Sequence, residues 1–256
     1  MTAVHAPPPL TADVALFLDF DGTIVEIAQR PDDVRVADGV GQQLQNVAWA
    51  LNGALAVISG RPISTIDHYL NGAVCSVAGL HGAERRTPLG HVNRSIADEV
   101  VTAELRSRLN DFARTHPSIL LEDKGASVAL HFREAPDLGA ACQRLIDVCV
   151  GDSQGRLERL DGKMVVELKP AGITKVDALT HYMNEAPFAG RRPVFVGDDL
   201  TDEAAFAAVS KTNGYGVIVG DRAPTAATAR LGSVKALHTW LQTFCDQQND
   251  SDRKRA

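Results

Sequence analysis

The stretch VALFLDFDGT (14–23) joins an apolar run to two carboxylates. The uninterrupted hydrophobic residues 14–18 predict a strand that is buried on both faces of a parallel sheet. Asp19 and Asp21 follow at once, where open α/β sheets place their ligands. Carboxylates so close together repel each other unless a cation neutralises them, so we expect Mg²⁺ here. Gly22 permits a tight turn close to a ligand.

Apolar runs alternate with helical patterns on either side of the middle of the chain. The spacing of apolar residues predicts core helices at 40–51, 63–70, 173–183, 201–209 and 234–244. Short apolar runs predict further core strands at 54–58, 73–78, 193–196 and 215–219. Such alternation is typical of βαβ units, and it predicts an α/β fold with a doubly wound parallel sheet.

The middle of the chain has a different pattern, in which a helix followed by a hairpin occurs twice. The helices are predicted at about 96–115 and 138–150, and the hairpin strands at 119–122, 127–132, 156–160 and 163–168. Asp161-Gly162 favours a tight turn in the second hairpin. This αββ-αββ order predicts an α+β cap inserted into the sheet domain. We expect the core at 13–83 and 170–245, the cap at 84–169, and flexible termini at 1–12 and 246–256.

Composition narrows the class of protein. The 256 residues are 45% hydrophobic, which is ordinary for a globular protein, and no apolar run is long enough to predict a membrane span. A net charge of −6 argues against a nucleic-acid partner. The chain starts without a signal-peptide pattern, and its four cysteines form no CxxC pair. We therefore expect a cytoplasmic protein with reduced thiols, either a monomer or a weak homo-oligomer.

Polar side chains that could act in catalysis or bind a metal follow three of the predicted core strands, and another lies near the start of a core helix. They are Asp19 and Asp21 after the first strand, Ser59 after the second, Gly197-Asp198-Asp199 with Asp202 after strand 193–196, and Lys175 in helix 173–183. Because the carboxyl ends of parallel strands meet at one edge of a sheet, these groups can form a single site.

This set of residues fits phosphoryl transfer from a monoester. Asp19 can attack phosphorus and form an aspartyl-phosphate, while Asp21 protonates the leaving oxygen and later activates water. Mg²⁺ can be held by Asp19, the main-chain carbonyl of Asp21, and Asp198. Ser59 and Lys175 can bind the remaining phosphoryl oxygens.

Taken singly, each of these residues has an ordinary structural explanation. Asp-Gly is a common turn dipeptide, Ser59 suits a turn or a helix cap, and Lys175 suits a solvated helix surface. Asp198 and Asp199 could belong to a turn, and Asp202 could be an exposed acid in the first turn of a helix. Their joint occurrence, each at a strand end or helix start, favours the catalytic interpretation.

Four segments resemble the sequence motifs of the haloacid-dehalogenase (HAD) superfamily of phosphatases. They are DFDGT (19–23), ISGR (58–61), GITK (172–175) and GDDLTDE (197–203). The resemblance implies a HAD-like Rossmannoid core, with Asp19 as nucleophile, Asp21 as acid/base, and Asp19, Asp21 and Asp198 as Mg²⁺ ligands. An insertion between Ser59 and Lys175 resembles the type C2 cap. The family commonly has glycine after the motif lysine, whereas Val176 stands here.

Within that superfamily, finer features resemble the family of trehalose-6-phosphate phosphatases. These are GDDLTDEAAF (197–206), GLHGAE (79–84), EDKGASVALHFR (122–133) and VVELKP (165–170). The resemblance implies a phosphate site made of Asp21, Gly22, Thr23, Ser59, Gly60 and Lys175. It implies sugar contacts by Arg61, Glu122, Lys124, His131, Arg133 and Glu167. It also implies that Asp202 binds the waters of the metal.

The resemblance implies a Mg²⁺-dependent phosphatase that hydrolyses trehalose 6-phosphate. The inserted-domain pattern adds the hypothesis that the cap closes over the sugar. Other readings stay open, namely action on sucrose 6-phosphate or a hexose phosphate, phosphotransfer between sugar positions, and a catalytically silent binding module. On sequence spacing alone, surface ion pairs are the favoured interpretation of Glu122, Lys124 and Glu167, and it is the resemblance that favours sugar contacts. His131, in an apolar strand, could likewise be a buried histidine of the core.

Overall fold

The computed structural model describes residues 5–94 and 101–253. Part of the helix predicted at 96–115 therefore lies outside the described residues, as do the outermost residues of both predicted flexible termini. The chain divides into two compact units, Met1–Asn93 with Lys175–Ala256, and Arg94–Thr174. We call them the core unit and the cap unit. The first boundary falls after 93, and not after the predicted 83, because two short strands that follow residue 83 extend the core sheet. The second boundary falls after 174, five residues beyond the predicted 169.

The elements of the described residues are numbered in chain order. The strands are β1 (Val14–Leu18), β2 (Leu55–Ile58), β3 (Ser76–Gly79), β4 (Glu84–Arg86), β5 (Val92–Arg94), β6 (Leu120–Asp123), β7 (Val128–His131), β8 (Leu157–Gly162), β9 (Val165–Pro170), β10 (Arg192–Gly197), β11 (Tyr215–Val219) and β12 (Ala229–Leu231). The helices are α1 (Val40–Ala50), α2 (Ile63–Leu70), α3 (Ala103–Thr115), α4 (Gly139–Asp152), α5 (Lys175–Met183), α6 (Glu203–Ser210) and α7 (Val234–Arg253). None of these helices is both long and apolar enough to cross a membrane.

The core unit is organised around β1. The sheet order is β12-β11-β10-β1-β2-β3-β4-β5, and the pairs from β12 to β3 are parallel, whereas β4 runs antiparallel to β3. Every residue of β1 is buried, as expected for a strand covered on both faces. The predicted α/β fold with a mostly parallel sheet is confirmed. Strands β4, β5 and β12 were not predicted, because each has only three residues and β4 and β5 are rich in polar side chains.

An aromatic cluster fixes the central strand against α5 and the segment that follows it. Phe17 stacks on Phe188 with ring centroids 5.5 Å apart, and Tyr182 lies 5.0 Å from the same ring. All three side chains are fully buried. The hydroxyl of Tyr182 donates to the carbonyl of Arg86 at 2.8 Å. The polar tip of this aromatic residue is therefore satisfied inside the core.

The cap unit has the predicted antiparallel sheet, in the order β6-β7-β9-β8. Alternate residues of β7 and β9 join an apolar cluster with α3 and α4, namely Val128, Leu130, Val166 and Leu168. The residues between them, such as Ala129 and Glu167, belong to the opposite face. The turn of the second hairpin differs from the prediction. Gly162 pairs with Val165, so the turn is Lys163-Met164, and Met164 adopts the left-handed conformation.

The N-terminal segment makes more contacts than expected from its composition, and the C-terminal segment is helical. Leu10 is buried, and Trp240 donates its indole N–H to the carbonyl of Pro8 at 2.9 Å. His5 forms a β-bridge with Ala229. At the other end α7 continues through the polar residues after position 245 to Arg253. The N-terminal segment from His5 onward is thus anchored to the core unit.

Truncation of Phe188 to alanine should lower the free energy of unfolding by about 3–5 kcal/mol, because it opens a cavity beneath β1. Trp49→Ala is the matched control, since this large side chain lies on α1 and is 70% exposed. We expect it to change the unfolding free energy by about 0.5 kcal/mol or less. Urea unfolding followed by circular dichroism measures both values. Equal losses in the two variants would contradict the assigned core.

Candidate active site

Three adjacent strands of the core sheet end at the predicted site. Leu18 pairs with Val196 of β10 on one side and with Val57 of β2 on the other. The amide of Asp19 donates to the carbonyl of Val196 at 2.9 Å. The segments DFDGT, ISGR and GDDLTDE therefore leave the same edge of the sheet, in neighbouring positions. This arrangement was expected from the parallel topology.

Lys175 links two acids at this edge. Its Nζ donates to Asp19 Oδ1 and to Asp202 Oδ1, each at 2.7 Å. All three side chains are buried. Burial acts to lower the pKa of Lys175, but the charges of Asp19 and Asp202 outweigh it and raise the pKa above the usual value. The lysine is therefore a permanent cation within the site, and Val176 beside it does not prevent these contacts.

Asp202 organises the loop that follows β10. Its Oδ2 accepts hydrogen bonds from the amides of Asp198 and Asp199, at 3.0 and 3.1 Å. A Cβ on Gly197 would lie 2.3 Å from Asp202 Cγ, so only glycine permits this approach. Both carboxylate oxygens of Asp202 are thus engaged, one by the loop and the other by Lys175. The side chain holds the loop in position and ties it to the lysine.

Asp198 faces the DFDGT loop. A Cβ on Gly22 would lie 2.2 Å from Asp198 Oδ2, and Gly22 has a φ of +78°, which L-residues rarely adopt. Burial raises the pKa of Asp198 to about 8, and the nearby charges of Asp19, Asp202 and Asp199 add to that rise. Burial likewise raises the pKa of Asp19 to about 7 despite the opposing effect of Lys175. The single positive charge of Lys175 does not neutralise the combined negative charge of Asp19, Asp198 and Asp202.

The acidic cluster fits a divalent cation. Asp19, Asp198 and Asp202 each offer an oxygen, and these oxygens all lie within 4.8 Å of one another. Asp198 Oδ1 is buried, and it has no hydrogen-bond partner among the described residues. An orphaned carboxylate oxygen beside a second buried acid is an environment that a hard cation with oxygen ligands would stabilise. Since both oxygens of Asp202 already accept hydrogen bonds, Asp19 and Asp198 are the carboxylates suited to direct ligation.

Small polar groups lie beside these acids. Ser59 is buried after β2, where its Oγ accepts a hydrogen bond from the amide of Arg61 at 3.1 Å. The Oγ1 of Thr23 is buried and has no hydrogen-bond partner in residues 5–94 and 101–253. A Cβ on Gly60 would lie 2.6 Å from His81 Nε2. Gly60 is therefore in close contact with His81, which lies in the GLHGAE segment.

His81 was not among the predicted site residues. It has a φ of +58°, and its amide donates to the carbonyl of Ser59 at 2.9 Å. Leu80 is also left-handed, and its amide donates to the carbonyl of Arg61 at 3.1 Å. Two successive non-glycine residues in this conformation indicate a segment held by its surroundings. The sequence did hold a clue to its position. GLHGAE (79–84) starts at the end of β3, and β3 lies beside β2, the strand that leads into ISGR (58–61).

Asp21 has a different partner from Asp19. Arg61 donates from Nε to Asp21 Oδ2 at 2.6 Å and from Nη2 to Asp21 Oδ1 at 2.8 Å. The guanidinium is largely buried, whereas the Asp21 side chain is 36% exposed. Arg61 was predicted as a sugar contact, and the structure pairs it with the predicted acid/base residue. That pairing was not anticipated.

The predicted sugar residues of the cap unit form two pairs on its sheet. Glu122 Oε2 is 2.8 Å from His131 Nε2, and Lys124 Nζ donates to Glu167 Oε2 at 2.7 Å. Glu122 and Glu167 both pair in register with Ala129 of β7, so they share a face. Burial acts to raise the pKa of Glu122, but the His131 hydrogen bond and the charge of Lys124 lower it overall.

Arg133 follows β7 in the same unit. It donates from Nη2 to the carbonyl of Lys163 at 3.3 Å, at the turn of the second hairpin. Among the predicted sugar residues, Glu122 is thus paired with His131 and Lys124 with Glu167, and the Lys124–Glu167 pair is nearly buried. It is not the exposed surface ion pair that sequence spacing also allowed.

Comparison with known proteins gives concordant results. The matching family is described as trehalose-phosphatase, over residues 17–234. The trehalose-6-phosphate phosphatase of Escherichia coli K12 is 40% identical over 253 residues, covering 96% of this chain and 93% of the relative. The C-terminal domain of Candida albicans trehalose-6-phosphate phosphatase aligns with a TM-score of 0.80 at 18% identity, covering 96% of this chain and 99% of that one. A Bacteroides thetaiotaomicron phosphatase of the HAD superfamily aligns at 0.61 with 18% identity, covering 93% and 97%. These alignments confirm the HAD-like fold.

Gly22→Ala tests the contact between the DFDGT loop and Asp198. A methyl group there would displace the Asp198 carboxylate, so we expect Mg²⁺ to raise the melting temperature of the wild type but not of this variant. Gly72→Ala is the matched control, since Gly72 has a φ of +66° and open space around its Cβ position. Both variants should lose about 1–2 kcal/mol through backbone strain. Thermal melts with and without Mg²⁺ separate the two effects, and a full cation response in Gly22→Ala would contradict the site.

Proposed function

The chain belongs to the trehalose-phosphatase family, and from that premise we propose that it hydrolyses trehalose 6-phosphate to trehalose and inorganic phosphate. The support for this substrate is the 40% identity to the Escherichia coli trehalose-6-phosphate phosphatase over nearly the whole chain. The single structural observation that carries the chemistry is the buried group of Asp19, Asp202 and Lys175 beside the orphaned oxygen of Asp198. It supplies a nucleophile, a cation and a metal-ligating carboxylate at one sheet edge.

Asp19 acts as the nucleophile in this proposal. A carboxylate oxygen of Asp19 forms a bond to phosphorus while the bond from phosphorus to the sugar oxygen breaks. Lys175 is suited to bind a phosphoryl oxygen at the same time, because it already lies 2.7 Å from Asp19 Oδ1 and stays protonated. Ser59 and the main chain of the DFDGT loop are suited to the other oxygens.

Asp21 carries the proton in both steps. As an acid it gives a proton to the departing sugar oxygen, and as a carboxylate it then takes one from the water that attacks the aspartyl-phosphate. Hydrolysis of that intermediate breaks the bond from phosphorus to Asp19 and returns both acids to their starting state. The partial exposure of Asp21 fits a group that must exchange a proton with substrate and water.

Mg²⁺ is the proposed cation, held by Asp19, Asp198 and the main-chain carbonyl of Asp21. Bound there, it supplies positive charge that offsets the acids and the phosphoryl oxygens. Asp202 contributes indirectly, by fixing the amides of Asp198 and Asp199.

We assign sugar recognition to the charged pairs of the cap unit. Carboxylates accept hydrogen bonds from sugar hydroxyls, and an ammonium donates them, so Glu122, Lys124 and Glu167 have the right chemistry. His131 fixes Glu122 in place at 2.8 Å. Arg133 remains a predicted contact of the same surface.

The cellular setting is also part of the proposal. All four cysteines are free thiols, three of them buried, which supports a reducing, cytoplasmic location. The net charge of −6 supports the absence of a nucleic-acid partner. A monomer or a weak homo-oligomer remains the predicted assembly.

The function is tested by phosphate release from trehalose 6-phosphate, sucrose 6-phosphate and glucose 6-phosphate. We expect trehalose 6-phosphate to have the highest kcat/KM, and we expect EDTA to abolish turnover and Mg²⁺ to restore it. Asp19→Asn should abolish phosphate release while keeping the wild-type circular dichroism spectrum, because an amide cannot act as the nucleophile. Equal turnover of all three sugars would refute the substrate assignment, and full activity of Asp19→Asn would refute covalent catalysis.

Glu122→Ala should lower kcat/KM for trehalose 6-phosphate by about 10- to 100-fold, because it removes a charged hydrogen-bond acceptor worth about 1.5–3 kcal/mol. Turnover of p-nitrophenyl phosphate, which has no sugar, should stay within about twofold of the wild type. Glu104→Ala is the matched control in the same unit, since the side chain of Glu104 is 85% exposed. A parallel loss on both substrates would show that Glu122 does not contact the sugar.

A further inference from the structure

The guanidinium group of Arg61 donates hydrogen bonds from all three of its nitrogens to acceptors in the core unit. Two of its nitrogens, Nε and Nη2, bind the two oxygens of Asp21 at 2.6 and 2.8 Å. The third, Nη1, donates to the carbonyl of Pro31 at 3.0 Å. All three guanidinium nitrogens therefore have acceptors inside the core unit, and two of them are committed to one carboxylate.

Aromatic rings frame the same guanidinium group. Its central carbon lies 5.8 Å from the ring centroid of Phe20 and 5.4 Å from that of Tyr69. The two rings stack on each other at 5.9 Å, and the Tyr69 hydroxyl donates to the carbonyl of Pro31 at 3.3 Å. Cation–π contacts on two rings add to the hydrogen bonds in fixing the plane of the guanidinium. A side chain held this way can serve as a rigid template.

The main chain of Arg61 is fixed as well. Its amide donates to Ser59 Oγ at 3.1 Å, and its carbonyl accepts from the amide of Leu80 at 3.1 Å. Helix α2 begins at Ile63, two residues further on. The main chain of Arg61 is thus fixed relative to Ser59, and the side-chain contacts described above fix the guanidinium.

We propose that Arg61 is a positioning residue, which holds the Asp21 carboxylate in the orientation needed for proton transfer. The inference rests on the proposed function, in which Asp21 is the acid/base group. The terminal torsion of an aspartate is broad and poorly restrained by itself, and Asp21 is 36% exposed. A planar, bidentate partner restrains both carboxylate oxygens at once, which a single ammonium group cannot do.

Arg61 neither gives nor takes a proton in this role. The proton of Asp21 passes to the sugar oxygen as the bond from that oxygen to phosphorus breaks, and water later returns a proton to Asp21. A guanidinium stays protonated throughout. Its contribution is geometric, since a misplacement of the order of 1 Å in a reacting group can cost about 100-fold in rate.

This role makes a different prediction from direct sugar binding. A sugar contact matters only for substrates that carry the sugar. A residue that positions the general acid matters for any substrate whose leaving oxygen needs a proton, and it matters little for an oxygen that departs readily as an anion. The two roles are therefore separable with phosphate esters that contain no sugar.

The experiment compares trehalose 6-phosphate and three sugar-free esters, ethyl phosphate, phenyl phosphate and p-nitrophenyl phosphate, as substrates of the wild type, Arg61→Lys and Arg61→Met. We expect both variants to lose about 100-fold in kcat/KM on ethyl phosphate and less than about threefold on p-nitrophenyl phosphate. A plot of log kcat/KM against the leaving-group pKa should thus become steeper. Arg61→Lys keeps the positive charge but loses the planar group that binds both oxygens of Asp21. It therefore separates the effect of orientation on the rate from the effect of charge.

Arg86→Met is the matched control. Arg86 also binds an aspartate with two nitrogens, reaching Asp67 at 2.6 and 2.8 Å. Its loss should change the melting temperature without changing the leaving-group slope. In an Asp21→Asn background, Arg61→Met should cause no further loss, because both substitutions remove the same proton transfer.

The outcomes distinguish this inference from the proposed function. If the wild type releases phosphate and Arg61→Met loses the same factor on all three esters, the positioning role is overturned. Loss on trehalose 6-phosphate alone, with an unchanged slope, overturns it in favour of a sugar contact. If the wild type releases no phosphate from any ester or from trehalose 6-phosphate, the proposed function itself fails.

Discussion

The ammonium group of Lys175 between Asp19 and Asp202 is the interaction on which the site depends. Asp19 and Asp202 have carboxylate oxygens within 4.8 Å of each other. Two buried carboxylates so close would repel each other strongly, and the positive charge of Lys175 offsets that repulsion. The lysine contacts each at 2.7 Å. Because Asp202 also binds the amides of Asp198 and Asp199, the lysine connects β1, α5 and the loop after β10. A charge requirement thereby fixes the relative positions of three segments that are far apart in the chain.

Most of the core fold could be predicted from the sequence, because its strands are apolar and its helices are amphipathic. β1, β11 and α2 were predicted to the residue. β4 and β5 could not be predicted, since short strands with charged side chains depend on pairing with a neighbour rather than on burial. The second hairpin shows the same limit. Asp161-Gly162 is a good turn sequence, yet the turn formed at Lys163-Met164, where the register of the apolar face of β9 required it.

The acidic part of the site was predicted because strand topology brings strand ends together whatever the intervening sequence. The contacts that those residues make with other side chains were harder to predict from the sequence. Arg61 follows the strand next to β1, as Asp21 follows β1 itself, so their proximity was implicit in the parallel register. Its guanidinium could, however, equally have pointed toward a substrate. The ion pair with Asp21 and the contacts with Phe20, Tyr69 and Pro31 show where it lies, and these contacts depend on packing that no local pattern encodes.

Asp19 and Asp21 are chemically identical, and their neighbours make them different. Asp19 is buried against a compact ammonium, which leaves its carboxylate near a cluster of acids that attracts a cation. Asp21 is partly exposed against a planar guanidinium, which restrains its direction but leaves an edge open to solvent. A nucleophile benefits from burial beside a cation that can bind the phosphoryl oxygens, whereas a proton carrier needs access to substrate and water. The two proposed roles can therefore belong to residues only two positions apart, because helix α5 supplies the cation beside Asp19 and the segment after β2 supplies the one beside Asp21.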